Sequence, residues 1–255
     1  MTEYTDHHAP EGLRTRGTII VVPGRGETRA TYTRFGRRLA ADAYRVRVID
    51  TPDAGADELA GSGAAFGRRL TEAVEGTAAE DGVVRPLVLV GADSGALAIA
   101  AHLSHAEPAG VRPPDAVVLA GLPGRAGSAP GTWEDELDVR TSCPTHRGTL
   151  TQDPRVRRGS LGDALPDALL TAAYDNEAAV PALFLVGDAD PLADRDALAR
   201  AAKSLPRARL TVVRGAHHDV LNDLQHRSVA AEVVTFLETL RDDLVPVVTV
   251  ESSAW

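Results

Sequence analysis

Short β-branched runs separated by longer helical patterns constrain this chain more than any other feature. The runs are TIIVV at 18–22, YRVRVID at 44–50, LVLVG at 87–91, AVVLAG at 116–121, ALFLVG at 182–187 and RLTVV at 209–213. Helical patterns lie between them near 29–42, 57–79, 94–105, 192–204 and 228–243. Parallel strands need a crossover long enough for a helix, so this alternation predicts an α/β fold. Its mostly parallel sheet is covered by helices on both faces. The chain has 255 residues, which fits one large core with an insertion rather than two independent domains.

One stretch breaks the alternation. Residues 122–180 hold no clear strand but many Gly, Pro, Ser and Arg residues and one helical patch, ALPDALLTAAYDNEA. This is too long for a plain connection, so a small lid inserted over the sheet is expected. The core is then 17–121 and 181–244, after a mobile or partly ordered segment at 1–16. VPVVTVESSAW at 245–255 reads as a tail or an extra edge strand.

Composition narrows the partners. A net charge of -9 argues against nucleic acid and anionic membrane. Cys143 is the lone cysteine, so no intrachain disulfide is available and an oxidising compartment gains no support. The opening MTEYTDHHAP lacks a basic region followed by an apolar run, and no apolar stretch reaches the roughly 20 residues of a membrane span. A cytoplasmic protein acting on a small molecule, with no cofactor, is expected.

In an open parallel sheet, ligands gather at the carboxyl ends of the strands. Four junctions there carry chemistry. PGRGE at 23–27 combines a tight turn with free backbone N–H groups. Gly91-Ala92-Asp93-Ser94-Gly95-Ala96 makes a sharp strand-to-helix turn whose small neighbours let the central side chain stand out. Gly187-Asp188-Ala189-Asp190-Pro191 supplies an acid, and Arg214-Gly215-Ala216-His217-His218-Asp219 supplies a histidine. The order nucleophile, acid, histidine is that of a triad. Taken singly, each has a plainer explanation: a Gly-rich turn, a helix cap at Asp190, a surface histidine at His218.

With these four junctions in order, the chain resembles the α/β-hydrolase superfamily from Gly17 to about Leu244. PGRGETRATY is similar to the HGxGE…RY stretch of the monoacylglycerol lipase and lysophospholipase branch, and GAHHDVLND to that branch's GxxHEVLNE. The resemblance implies an oxyanion hole from the N–H groups of Arg25 and Ser94, Asp190 as the acid, and His218 rather than His217 as the base. Pro23 stands where the branch has histidine, which matters little to backbone donors. The segment before TIIVV is short for the usual first two strands, so the sheet is expected to be truncated on that edge.

The third departure is Asp93 at the position of the serine nucleophile, and it leaves three readings open. Asp93 attacks carbon or activates water, as in the epoxide hydrolase and dehalogenase relatives whose elbows read G-x-D-x-G. Alternatively Ser94 is a nucleophile slipped by one residue, giving a serine esterase. In the third reading hydrolysis is lost, and Asp93 holds His218 protonated in a binding protein or non-hydrolytic enzyme. Dehalogenase relatives place tryptophan after the aspartate, where this chain has Ser94; epoxide hydrolases use two lid tyrosines, where 122–180 holds only Tyr174.

Tyr32, Trp133 and Tyr174 are candidate substrate contacts. Cys143 and His146 in CPTH suit a metal only weakly, and no metal site is expected. Arg155, Arg157 and Arg158 in RVRR could meet an acidic group but read more readily as a solvated face. His7 and His8 lie in the amino-terminal segment, and His102 and His105 on the helix after the elbow fit packing better than catalysis.

Overall fold

A computed structural model of the chain describes residues 3–50, 63–104, 113–125 and 130–253. Seven strands form one sheet: β1 (Tyr4–His7), β2 (Gly17–Val22), β3 (Tyr44–Ile49), β4 (Leu87–Ala92), β5 (Ala116–Ala120), β6 (Ala182–Gly187) and β7 (Ala208–Val213). Their order is β1-β3-β2-β4-β5-β6-β7; β1 runs antiparallel to β3 and every other pair is parallel. This is the mostly parallel sheet the alternation predicts.

Strands β2, β4, β5 and β6 are buried at every residue, as strands covered on both faces must be. Successive side chains alternate between two cores. Ile20, Val22, Leu89, Val117 and Phe184 face one side, where they meet α2 (Gly63–Glu75), α3 (Ser94–Ser104), α6 (Asp167–Tyr174) and α7 (Arg195–Ser204). Ile19, Val21, Val88, Val118 and Leu183 face the other, under α1 (Thr33–Ala41) and α8 (His226–Thr239). Helix α3, SGALAIAAHLS, is buried from Ser94 through Ala101, and its alanines let it lie close to the strands.

The amino-terminal segment is ordered where it is described. Arg47 of β3 sends Nε and Nη2 to the two carboxylate oxygens of Asp6 at 2.7 and 2.6 Å, pinning β1 to the edge. As β1 has four residues and is the one described strand beyond β3, that edge is short. At the other edge β7 pairs only with β6 among the described residues, and 245–253 forms no strand.

The described part of 122–180 divides in two. Helices α4 (Trp133–Arg140) and α5 (Pro144–Gln152) form a cap, with a small cluster of Leu137, Leu150, Val156 and Trp133 of its own. Helix α6 instead joins the main core through Leu169, Leu170 and Ala173, because the parallel step from β5 to β6 needs a crossover helix. The expected helix at 57–79 is described from Gly63, and residues 57–62 lie outside the described residues. The helix expected from 192 begins at Arg195, capped by the Asp194 side chain on the Ala197 N–H at 2.8 Å. No described helix is long and apolar enough to cross a membrane.

Two close approaches bring the site loops together. A Cβ on Gly95 would lie 2.4 Å from the Val22 carbonyl oxygen, and one on Gly187 would lie 2.0 Å from that of Ala216. Gly187→Ala is therefore expected to destabilise the fold by about 3 kcal/mol, since backbone on both sides must shift. At Gly131 an added Cβ meets Asp135 Oδ2 at an ordinary 3.4 Å, so Gly131→Ala serves as a near-neutral control. Urea unfolding midpoints of the two variants check this; equal midpoints would sink the packing argument.

Candidate active site

Residue 93 follows the last residue of β4, and the chain must reverse there into α3. Asp93 takes φ +47°, in the left-handed region that non-glycine residues seldom occupy. The flanking glycines allow it: a Cβ on Gly91 would lie 2.6 Å from the Ala96 backbone nitrogen. The left-handed residue is thus Asp93, and Ser94 is the buried first residue of α3. The register read from the sequence puts aspartate at the tip, and the backbone does the same.

The other members arrive on neighbouring strand ends. Asp190 follows β6; its Oδ1 accepts the Leu192 N–H at 2.9 Å and its Oδ2 lies 3.0 Å from His218 Nδ1. On the far side of the ring, His218 Nε2 lies 3.2 Å from Asp93 Oδ1. That contact is an ion pair without an aligned hydrogen bond, since Nε2 has no acceptor on its N–H axis. His217 turns away to Asp223, its Nδ1 2.9 Å from Oδ2.

Arg25 is the residue whose side chain the sequence reading missed. Its backbone N–H donates to Asp93 Oδ2 at 2.8 Å, the donor expected of an oxyanion hole. Its guanidinium also forks onto the same carboxylate, Nε to Oδ2 and Nη2 to Oδ1, each at 2.9 Å. The remaining amino group, Nη1, donates to the carbonyls of Leu161 and Asp163 at 3.0 and 2.8 Å, in the turn that closes the cap. Both partners of the pair are 4% exposed. The signal was present in the sequence: a cation stands in the PGRGE turn of the same chain that carries an anion at residue 93.

These contacts fix the charge states. Burial pushes the Asp93 carboxyl up, but the Arg25 charge, with hydrogen bonds and the nearby His218, holds it well below the ordinary 3.8. Burial likewise pushes the His218 imidazolium down. The charges of Asp190 and Asp93 and the Asp190 hydrogen bond overcome this, raising it from 6.5 to about 10. At neutral pH the site is a balanced set of two carboxylates, one guanidinium and one imidazolium.

A second buried network supports the first. Arg140, fully buried at the end of α4, gives Nε and Nη2 to Glu136 Oε1 at 3.1 and 2.9 Å and Nη2 to the Arg25 carbonyl at 2.6 Å. Its Nη1 lies 3.4 Å from Asp219 Oδ1, while Asp219 Oδ2 meets His146 Nε2 at 2.8 Å. The backbone closes the tie, because His218 N–H donates to the Val139 carbonyl at 3.1 Å.

Glu27, His146 and Asp219 present ligand atoms within 4.8 Å of one another, the one such buried group among the described residues. Arg140 already supplies a cation to Asp219, so the group reads as a proton-holding network. Burial and the Asp219 charge raise Glu27 to about 7, against Arg140 and His146.

Other candidates fall outside this constellation. Tyr32 is buried and its hydroxyl donates to Glu27. Trp133 packs in the cap with the Arg158 guanidinium 5.1 Å above its ring. Tyr174 donates to the Pro123 carbonyl at 3.1 Å and lines a surface groove of about 560 Å³ with Arg125 and Arg200, away from Asp93. Cys143 caps α5 and lies 3.5 Å from Arg34 Nη1, while His146 turns to Asp219, so the two do not share a ligand position. Arg155 and Arg157 pair with Asp153 and Asp163 of the cap. His102 packs edge-on to Phe66, and His105 lies outside the described residues.

The family model for serine aminopeptidase, S33, matches residues 14–225. The chain belongs to this family. It is an α/β-hydrolase-fold hydrolase whose elbow carries aspartate where the family's name implies serine. No curated protein matches the sequence. Among solved structures, a monoacylglycerol lipase of Paleococcus ferrophilus is similar at TM-score 0.70 and 18% identity, covering 94% of this chain and 99% of that one. A soluble variant of the Saccharomyces cerevisiae monoglyceride lipase gives 0.70 and 13%, over 93% and 91%. A carboxyl esterase of Bacillus coagulans gives 0.69 and 14%, over 94% of each. At these identities the likeness establishes the shared fold.

The electrostatics give a measurable consequence. A histidine raised on folding stabilises the protein fully below its unfolded value of 6.5 and loses that contribution as pH climbs through about 10. Asp93, depressed on folding, contributes above 3.8 and loses its share as pH falls below it. NMR titration is expected to show the His218 ring titrating near 10 in the wild type and lower in Asp93→Asn. A wild-type ring titrating near 6.5 would contradict the arrangement.

Proposed function

We propose that this hydrolase opens a small, partly apolar carbon electrophile, such as an epoxide, through Asp93. The observation that carries the reading is Asp93 at a left-handed elbow, with His218 Nε2 at 3.2 Å and Asp190 behind the ring at 3.0 Å. A serine there would need a base to activate it; a carboxylate held ionised needs none.

His218 then serves both halves of the reaction. In the resting site it is protonated, and its Nε2–H has no aligned acceptor. As an Asp93 oxygen forms a bond to carbon, the epoxide C–O bond breaks and the departing oxygen takes the His218 proton. This supplies the acid that paired lid tyrosines give in epoxide hydrolases; Tyr174 is committed to Pro123. The resulting ester is neutral, so His218 loses one of its two carboxylate neighbours and its basicity falls.

Neutral His218 next takes a proton from water, and the hydroxide adds to the ester carbonyl carbon. The carbonyl oxygen is the one facing the Arg25 N–H. Collapse breaks the acyl C–O bond, and the alkoxide leaves with the proton of the added hydroxyl. Carboxylate and imidazolium are both restored, so protons and charge balance over the cycle.

Single turnover of an epoxide in heavy-oxygen water tests this. The first product is expected to carry an unlabelled oxygen from Asp93, with label appearing in the Asp93 carboxylate. Asp93→Asn is expected to lose at least about a thousandfold in rate, while Ser94→Ala keeps most activity. Ester hydrolysis that survives Asp93→Asn but not Ser94→Ala would assign the chemistry to Ser94 instead. The fork of Arg25 on both Asp93 oxygens favours a second reading, a site that binds without attacking; there, no label ever reaches Asp93.

A further inference from the structure

Arg25 presents a difficulty that points to the substrate. Its guanidinium holds both oxygens of the carboxylate that must attack, so it has to leave before Asp93 can act. Removing one partner of a buried ion pair strands the other's charge, which is strongly unfavourable. Asp93 is not left bare when Arg25 departs, because His218 remains beside it. Arg25, with Nη1 on two uncharged carbonyls, would have lost its nearest anion. Esterification of Asp93 makes the loss complete, since the product of attack carries no charge there.

We propose that the substrate is itself a small organic acid, with a carboxylate next to the reactive carbon, and that Arg25 passes from Asp93 to that carboxylate. Three observations support the exchange. The guanidinium already binds a carboxylate side-on through two parallel bonds, the geometry that recognises another carboxylate rather than a lone point charge. Its side chain is long, whereas its backbone N–H, which also faces Asp93 Oδ2, is fixed by the turn and stays to serve the second step. The carbonyls of Leu161 and Asp163 hold Nη1 from the cap, so the cation keeps neutral partners while its anion changes. Arg25 is thus a specificity-determining residue that masks the nucleophile until an acid arrives.

The inference rests on the reading of Asp93 as nucleophile, but it is tested by binding alone. The probe is cyclopropanecarboxylate, which has the shape of an epoxy acid and cannot be opened, with cyclopropanecarboxamide as the uncharged control. In calorimetry the wild type is expected to bind the acid weakly, because Asp93 competes for Arg25. Asp93→Asn removes the competitor and is expected to bind at least ten times more tightly, with a matching rise in Tm. The Arg25→Met/Asp93→Asn double variant, with no buried charge left unpaired at this pair, is expected to bind neither probe.

Should Asp93→Asn fail to fold, the wild-type Arg25 Nε–H resonance gives the same answer: it is expected to shift with the acid and not with the amide. Equal or weaker binding by folded Asp93→Asn, binding that persists in the double variant, equal binding of the amide, or an unmoved Arg25 resonance would each overturn the proposal. Tight binding in the expected pattern with no label in Asp93 would instead remove the covalent mechanism and leave the acid site standing.

Discussion

The buried pair between Arg25 and Asp93 is the interaction around which the rest of this site is arranged. An isolated carboxylate at 3% exposure would neutralise itself by taking a proton. Two charge-assisted bonds from Arg25, its backbone N–H and the nearby imidazolium keep Asp93 ionised instead. The pair also couples parts of the chain far apart in sequence, since Arg25 reaches the cap turn at Leu161 and Asp163. Arg140 extends the coupling by holding the Arg25 carbonyl from the end of α4. The turn at Asp93, the PGRGE turn and the cap are therefore one electrostatic unit. Removing a single charge within it would cost about 3 to 5 kcal/mol, the usual result of stranding a buried partner.

That unit changes what the histidine does. Beside a neutral serine hydroxyl, a histidine backed by one carboxylate sits near its ordinary range and acts first as a base. Beside Asp93 it has a carboxylate on each side, at 3.2 and 3.0 Å, and rests as a cation. With aspartate where a serine would stand, the histidine rests ready to give a proton rather than to take one, which is the polarity the proposed mechanism uses. A protonated resting His218 is common to attack on carbon and to binding alone, so isotope labelling is the measurement that separates the two.

Much of this was legible in the sequence because it rests on local rules. Buried strands such as TIIVV and ALFLVG declare themselves by unbroken apolar runs, and the order of junctions gave Asp93, Asp190 and His218 as the residues to watch. The glycines at 91 and 95 pointed to the elbow, and the Asp93 dihedral agrees with that register. Other features depend on partners distant in sequence. Nothing near Arg47 indicates that it will pin β1 through Asp6 across 41 residues, and nothing near Arg140 indicates that it will be among the most buried side chains. Helix α6 could not be separated from the cap by composition, since its place in the core follows from the crossover between β5 and β6. The partner of the Tyr32 hydroxyl, Glu27, could likewise not be read from the sequence around it.

Arg25 falls between these cases. Its place in PGRGE was read for the backbone, because an oxyanion turn uses N–H groups and tolerates most side chains. A cation there would be incidental if the elbow held serine. With aspartate at the elbow the two charges complement each other: without Asp93 the buried Arg25 would keep only neutral carbonyls, and without Arg25 the Asp93 carboxylate would keep His218 alone as its counter-charge. The buried cation at residue 25 therefore depends on the anion at residue 93. Any account of the reaction must say where the cation goes when the anion is consumed. A substrate that brings its own carboxylate answers this with no other buried charge changed.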